Sequence, residues 1–140
     1  MRPFDTLIRL AEQALDEKRK ALSQLEAGLE RARVARAALD VELAAEQKAA
    51  AGSMEAGRLY GAYAQAMLAR RRQADRLVDD VEMAVEAARE EVRTAFAELK
   101  RYEITHDARL AKLAAEEARK EQAVADETAQ NLKRRENDRL

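Results

Sequence analysis

Side chains able to do chemistry are few in this chain, and they do not converge. His106 is the single histidine. It stands beside Asp107 in a helical stretch, but no second histidine, cysteine or glycine loop accompanies it, so it has no catalytic group to join and reads as structural or solvated. The absence of cysteine removes disulfides, thiol catalysis and thiolate metal sites together. Acidic residues are plentiful, yet they alternate with lysine and arginine, the pattern of solvated helix faces rather than of a carboxylate pair poised for acid–base work. No glycine-rich loop is present to cradle a phosphate. With no nucleophile, base and anion-stabilising group in one constellation, the sequence offers no catalytic, cofactor-binding or metal-binding residues.

Arg70-Arg71-Arg72 is the one local basic cluster. Three consecutive residues on a helix point in three directions, and Asp75, Asp79 and Asp80 follow at once, whereas a nucleic-acid stripe would be longer and one-sided. The net charge is −1 although 38% of the residues are charged, so no global field draws the chain to nucleic acid or an anionic membrane. Any electrostatic partnership has to be local.

The elements that position these residues follow from composition. Alanine contributes 32 residues, with one proline and four glycines, and Leu, Glu, Arg, Lys and Gln supply much of the rest. These are the strongest helix formers. The opening residues lack the apolar core of a secretory signal, and no run approaches the roughly 20 apolar residues of a membrane span. The expectation is a soluble, cytoplasmic, all-α chain without direct membrane insertion.

From Phe4 the apolar residues alternate in steps of four and three: Phe4, Ile8, Ala11, Leu15, Leu22, Leu25, Leu29, Ala32, Leu39 and Leu43. This is a heptad seam, interrupted by Lys18 and Arg36, where a charge costs stability but fixes register. Asp5 is the expected N-cap, and helix 1 is expected over about residues 6–50. Gly52 and Gly57 bracket a stretch with no seam, so the turn is placed at about 51–57. Helix 2 follows over about 58–135, with a seam through Tyr60, Tyr63, Met67, Ala74, Leu77, Val81 and Ala84. It is expected to slip by one residue and continue through Val85, Ala88, Val92, Phe96, Leu99, Tyr102, Leu110 and Leu113.

The whole, residues 1–140, reads as a single coiled-coil domain: two long helices forming an antiparallel hairpin, helix 2 longer and overhanging at the C-terminus. Helix 1 would span on the order of 65 to 70 Å and helix 2 more than roughly 100 Å. Folding at the turn brings Phe4 to Tyr102–Ile104 and leaves the chain from about Thr105 without a partner. The same register sets Lys18 opposite Glu90 or Glu91, and Arg36 within reach of Asp75. Near the turn, Tyr60, Tyr63 and Met67 join Leu39 and Leu43 in the largest apolar concentration, either the packed end of the coiled coil or a docking patch.

The order and spacing of three blocks resemble the flagellar FliJ family, and more distantly the stalk proteins of virulence type III secretion. The blocks are Leu7-Ile8-Arg9-Leu10-Ala11-Glu12, Tyr60-Gly61-Ala62-Tyr63, and Asp126-Glu127-Thr128-Ala129 with Lys133-Arg134-Arg135. The resemblance implies a non-enzymatic, mostly monomeric helical hairpin of the flagellar export apparatus, peripheral at the cytoplasmic face of the basal body. It would dock on the hexameric export ATPase, contact the export-gate membrane protein FlhA and interact with export chaperones. Carried over by position, the gate-side candidates are Leu39, Leu43, Tyr60, Tyr63, Met67 and Arg70, and the ATPase-side candidates are Lys133, Arg134 and Arg135. Glu42 and Glu46 stand where a relative has aromatic residues, and Ala125 where the family's block has leucine. The rival readings are a structural coiled coil that dimerises through helix 2, a stalk protein of virulence-type secretion, and a DNA- or membrane-associated helical protein.

Overall fold

A computed structural model of the protein describes residues 3–139. It contains two helices, α1 at Pro3–Ala50 and the longer α2 at Met54–Arg139, and no strand among the described residues. The fold class is therefore all-α.

Helix α1 begins at Pro3, three residues before the expected start. Proline suits a first helical position because its missing N–H would have no intrahelical partner there. Asp5 accordingly lies in the first turn, where its carboxylate complements the helix dipole rather than capping the end. The turn is only Ala51-Gly52-Ser53. Gly52 N–H donates to the Ala49 carbonyl at 3.1 Å, and Ser53 Oγ accepts from Ala56 N–H at 3.0 Å. That serine satisfies an otherwise orphaned amide and starts α2 at once, so Gly57 lies inside the helix and the connection is shorter than the spacing of Gly52 and Gly57 suggested. Replacing Ser53 with alanine is expected to lower the unfolding free energy by about 1 kcal/mol. Urea denaturation checks this, with Ser53→Asp retaining most of the stability.

Contacts divide the chain into two compact units, residues 12–96 and residues 1–11 with 97–140. In the first, α1 and α2 pack antiparallel around a narrow core of Leu15, Leu29, Ala32, Met67, Val85 and Ala88, all buried. On α1 the sequence-derived seam is the one that turns inward. On α2 it differs. Leu77 and Phe96 are exposed, 54% and 44%, while their neighbours Val78 and Ala95 turn inward. One unbroken inward row runs Tyr60, Ala64, Met67, Arg71, Ala74, Val78, Val81, Val85, Ala88, Val92 and Ala95, and the expected Tyr63 and Ala84 are half-buried beside it. The four-three step never slips. Heptad position decides which side chain is enclosed, and a larger apolar neighbour one place away does not displace it.

The expected charge pairs form. Lys18 Nζ lies 3.4 Å from Glu91 Oε2, and Arg36 Nε bonds Asp75. A third seam cation, Arg71, escaped the sequence reading inside its run of three arginines. Its Nε lies 2.9 Å from Asp40 Oδ1, and Asp40 also pairs with Arg36 at 2.6 Å. On the other edge of the seam, Arg33 meets Glu82 at 3.0 Å.

In the second unit the first turns of α1 pack on α2 beside buried Leu99. Phe4 stacks on His106, ring centroids 5.6 Å apart, two residues beyond the expected Ile104. The partnered part of α2 therefore extends past Thr105. Every described residue from 117 to 139 is exposed.

Candidate protein-docking sites

The first candidate site is the turn end of the 12–96 unit. Seam spacing carries Leu39 and Leu43 on α1 and Tyr60, Tyr63 and Met67 on α2 to the same end, and the cap at Ser53 sets where α2 starts. Four of these, Leu39, Leu43, Tyr60 and Tyr63, are half-buried. Met67 differs. It is 1% exposed, so it serves the core and offers no surface to a partner. The two tyrosine rings lie 6.3 Å apart and tilted. Arg70 is exposed and approaches Glu42 at 3.9 Å. Tyr63 Oη donates to the same carboxylate at 3.4 Å.

Beside these residues Tyr60 and Tyr63 form one wall of an apolar groove of about 260 Å³, completed by Glu46, Ala49, Ala50, Ala56 and Leu59. Leu59 is 73% exposed. It was not among the sequence candidates because it lies off the seam, and its only signal was its place next to Tyr60 just after the turn.

Burial raises the Tyr63 phenol above the ordinary tyrosine value of 10.0, and the charges of Glu42 and Glu46 add to the rise. Tyr102 is raised too, chiefly because its Oη donates to Glu98. Above pH 10 the folded chain therefore holds phenolic protons that an unfolded chain has released. Stability is expected to be insensitive to these groups below pH 10 and to fall as pH rises through the window up to their folded-state values. Tyrosinate absorbance should show a late-titrating component that shrinks in Tyr63→Phe.

The second candidate site lies at the start of α1, in the unit of residues 1–11 and 97–140. Phe4 is held between His106 on one side and the Arg109 guanidinium, 5.0 Å from its centroid. His106 Nε2 reaches Asp5 Oδ1 at 3.4 Å. With Pro3, Leu110 and Leu113 these residues enclose a groove of about 300 Å³. Leu110 and Leu113, assigned to the seam from sequence, are exposed, 38% and 57%.

Further along α2, Lys133 and Arg134 share a face with Gln130 and Asn137, and Arg135 points away from it, about 100° further round the helix. From residue 114 to 139 the side chains support the helix only through Gln122 to Asp126 at 3.0 Å and Thr128 Oγ1 to the Val124 carbonyl at 2.9 Å. No ion pair occurs there among the described residues.

No group of three or more His, Cys, Asp or Glu residues that could hold a metal ion occurs among the described residues. No described helix is long and apolar enough to cross a membrane. What the two sites can do chemically is bind apolar and charged side chains.

A family model described as the flagellar FliJ protein matches residues 1–138. The chain belongs to the flagellar FliJ family. This FliJ-family chain is accordingly a flagellar export-related protein of a non-enzymatic family. No match was found among curated proteins or among solved structures.

Proposed function

We propose that this FliJ-family chain is a stalk-like component that links the flagellar export ATPase ring to the export gate and interacts with export chaperones. It acts by binding, at the cytoplasmic face of the basal body. The observation that carries this reading is the exposed C-terminal part of α2. An isolated helix in water is marginal without side-chain pairs or an apolar contact, and residues 114–139 have almost no such support. Membership of a flagellar export family makes the export ATPase the partner we assign: a helix of this kind beside the Phe4 groove suits entry into a ring of ATPase subunits, with Lys133, Arg134 and Arg135 as charged contacts. The gate protein FlhA is assigned to the groove beside Tyr60 and Tyr63, and the free chain is a monomer.

Co-purification with the hexameric export ATPase tests the reading. Ending the chain after Ala118 leaves Phe4, His106, Arg109, Leu110 and Leu113 in place and is expected to weaken binding at least tenfold. Equal binding by the shortened chain would remove the C-terminal segment from the ATPase contact.

A further inference from the structure

The charged residues at seam positions differ in one respect. Lys18, Arg36 and Arg71 each have a carboxylate within 4 Å on the opposite helix. Glu46 does not. Counting on from Leu39 and Leu43 by the same four-three step, it occupies the next seam position of α1, and it has no ion-pair or hydrogen-bond partner among the described residues. Its neighbour Glu42 is already engaged by Tyr63 and Arg70. A carboxylate at a seam position gives up apolar packing there. Here it gains no opposite charge among the described residues in return.

The surroundings of Glu46 indicate what would complement it. It lines the same groove as Leu59, Tyr60 and Tyr63, with Ala49, Ala50 and Ala56 as a low floor. Leu59 stands largely in water. Glu46 and Tyr63 line the groove together, and the Tyr63 phenol is raised first by burial, then by the charge of Glu42 and after it that of Glu46. An aliphatic and aromatic surface beside an uncompensated carboxylate suits a segment that brings an apolar side chain with a cation next to it, because the lysine or arginine stem packs on tyrosine while its head meets the acid. Charge pairing of this kind selects among partners more than it adds affinity.

We propose that Glu46 makes this groove selective for a partner segment carrying lysine or arginine beside an aliphatic side chain, an amphipathic basic helix being the fitting form. The inference rests on assigning the groove to the gate contact, and it concerns which chemistry that contact requires.

The test uses the full chain and two labelled helical peptides of about 18 residues, long enough to hold helix. They share one leucine and alanine face and differ in flanking lysines or flanking glutamates. The wild-type chain should bind the lysine peptide and discriminate against the glutamate peptide, less so at high salt. Glu46→Gln should weaken lysine-peptide binding roughly three- to fivefold, the scale of a partly exposed pair, and Glu46→Lys should reverse the preference. Glu30→Gln, an exposed acid distant in sequence, serves as the control for general charge, and circular dichroism checks that each variant stays helical. Unchanged preference in Glu46→Gln, or an equal loss in Glu30→Gln, would overturn the proposal.

A parallel arm uses the cytoplasmic part of the gate protein. Peptide selectivity that depends on Glu46, with no binding of the gate fragment, upholds the selectivity and removes the gate assignment. Gate binding unaffected by Glu46→Gln or Glu46→Lys, with no peptide preference, does the reverse.

Discussion

Replacing Met67 with alanine is expected to destabilise the protein by about 2–4 kcal/mol, the range for deleting a large buried side chain and leaving part of its volume empty. Met67 is 1% exposed, the most completely enclosed large side chain among the described residues. The core around it is thin, with alanine at several inward positions, so few neighbours are large enough to fill the space. Met67→Leu conserves volume and should cost less than about 1.5 kcal/mol. This pair of variants also separates packing from docking at the turn end. If Met67 only packs, Met67→Leu binds the gate fragment like wild type. Tyr60→Ala, which removes a half-buried ring from the groove, should instead weaken that binding at modest cost in stability. A Met67→Leu chain that keeps its urea midpoint yet loses the gate fragment would show that the methionine itself is a contact. Urea denaturation and a binding titration on the same preparations read both quantities.

Much of this fold was legible because a heptad seam is a statement about position, and position survives in sequence. Lys18 with Glu91 and Arg36 with Asp75 could be paired from numbering alone, since an antiparallel register fixes which residues face each other. The errors came where size was weighed above position. Leu77 and Phe96 drew the α2 seam off its step, whereas Val78 and Ala95 held it. Arg71 was hidden for the same reason, because an arginine in a run of three does not look like a seam residue. Gly57 looked like part of a loop, but one capping serine was enough to start the helix before it. The extent of pairing at the N-terminus turned on Phe4 settling between His106 and Arg109, a contact between residues a hundred apart in the chain. Glu46 showed in the sequence only as an acid where a relative has an aromatic. Its lack of a partner among the described residues stands out only against the pairs that the other seam charges make in three dimensions.

The two seam arginines give the second prediction. Arg36 pairs with both Asp75 and Asp40, Arg71 approaches Asp40, and the bonds to Asp75 and then Asp40 hold the Arg36 guanidinium protonated beyond its ordinary range. Each arginine occupies a position where leucine would bury more apolar surface, so the group trades stability for register. Arg36→Leu combined with Arg71→Leu is expected to raise the thermal midpoint by about 5 °C. The two aspartates left behind are about half exposed and can be hydrated by solvent. The cost should appear as lost specificity: where the wild-type chain is expected to sediment as a monomer, the double variant should give a monomer–dimer mixture, because a seam with fewer charges distinguishes its own helix less well from that of another copy. Arg36→Ala alone should act in the opposite sense and lower the midpoint, since it removes the shared cation between Asp40 and Asp75 without adding apolar area. Added salt should recover part of that loss by screening the carboxylates from each other. A double-leucine chain that melts lower than wild type would mean that the network contributes net stability and that register is fixed elsewhere along the seam. A chain that melts higher and stays monomeric would leave the narrower pairs, Lys18 with Glu91 and Arg33 with Glu82, as sufficient to hold the register.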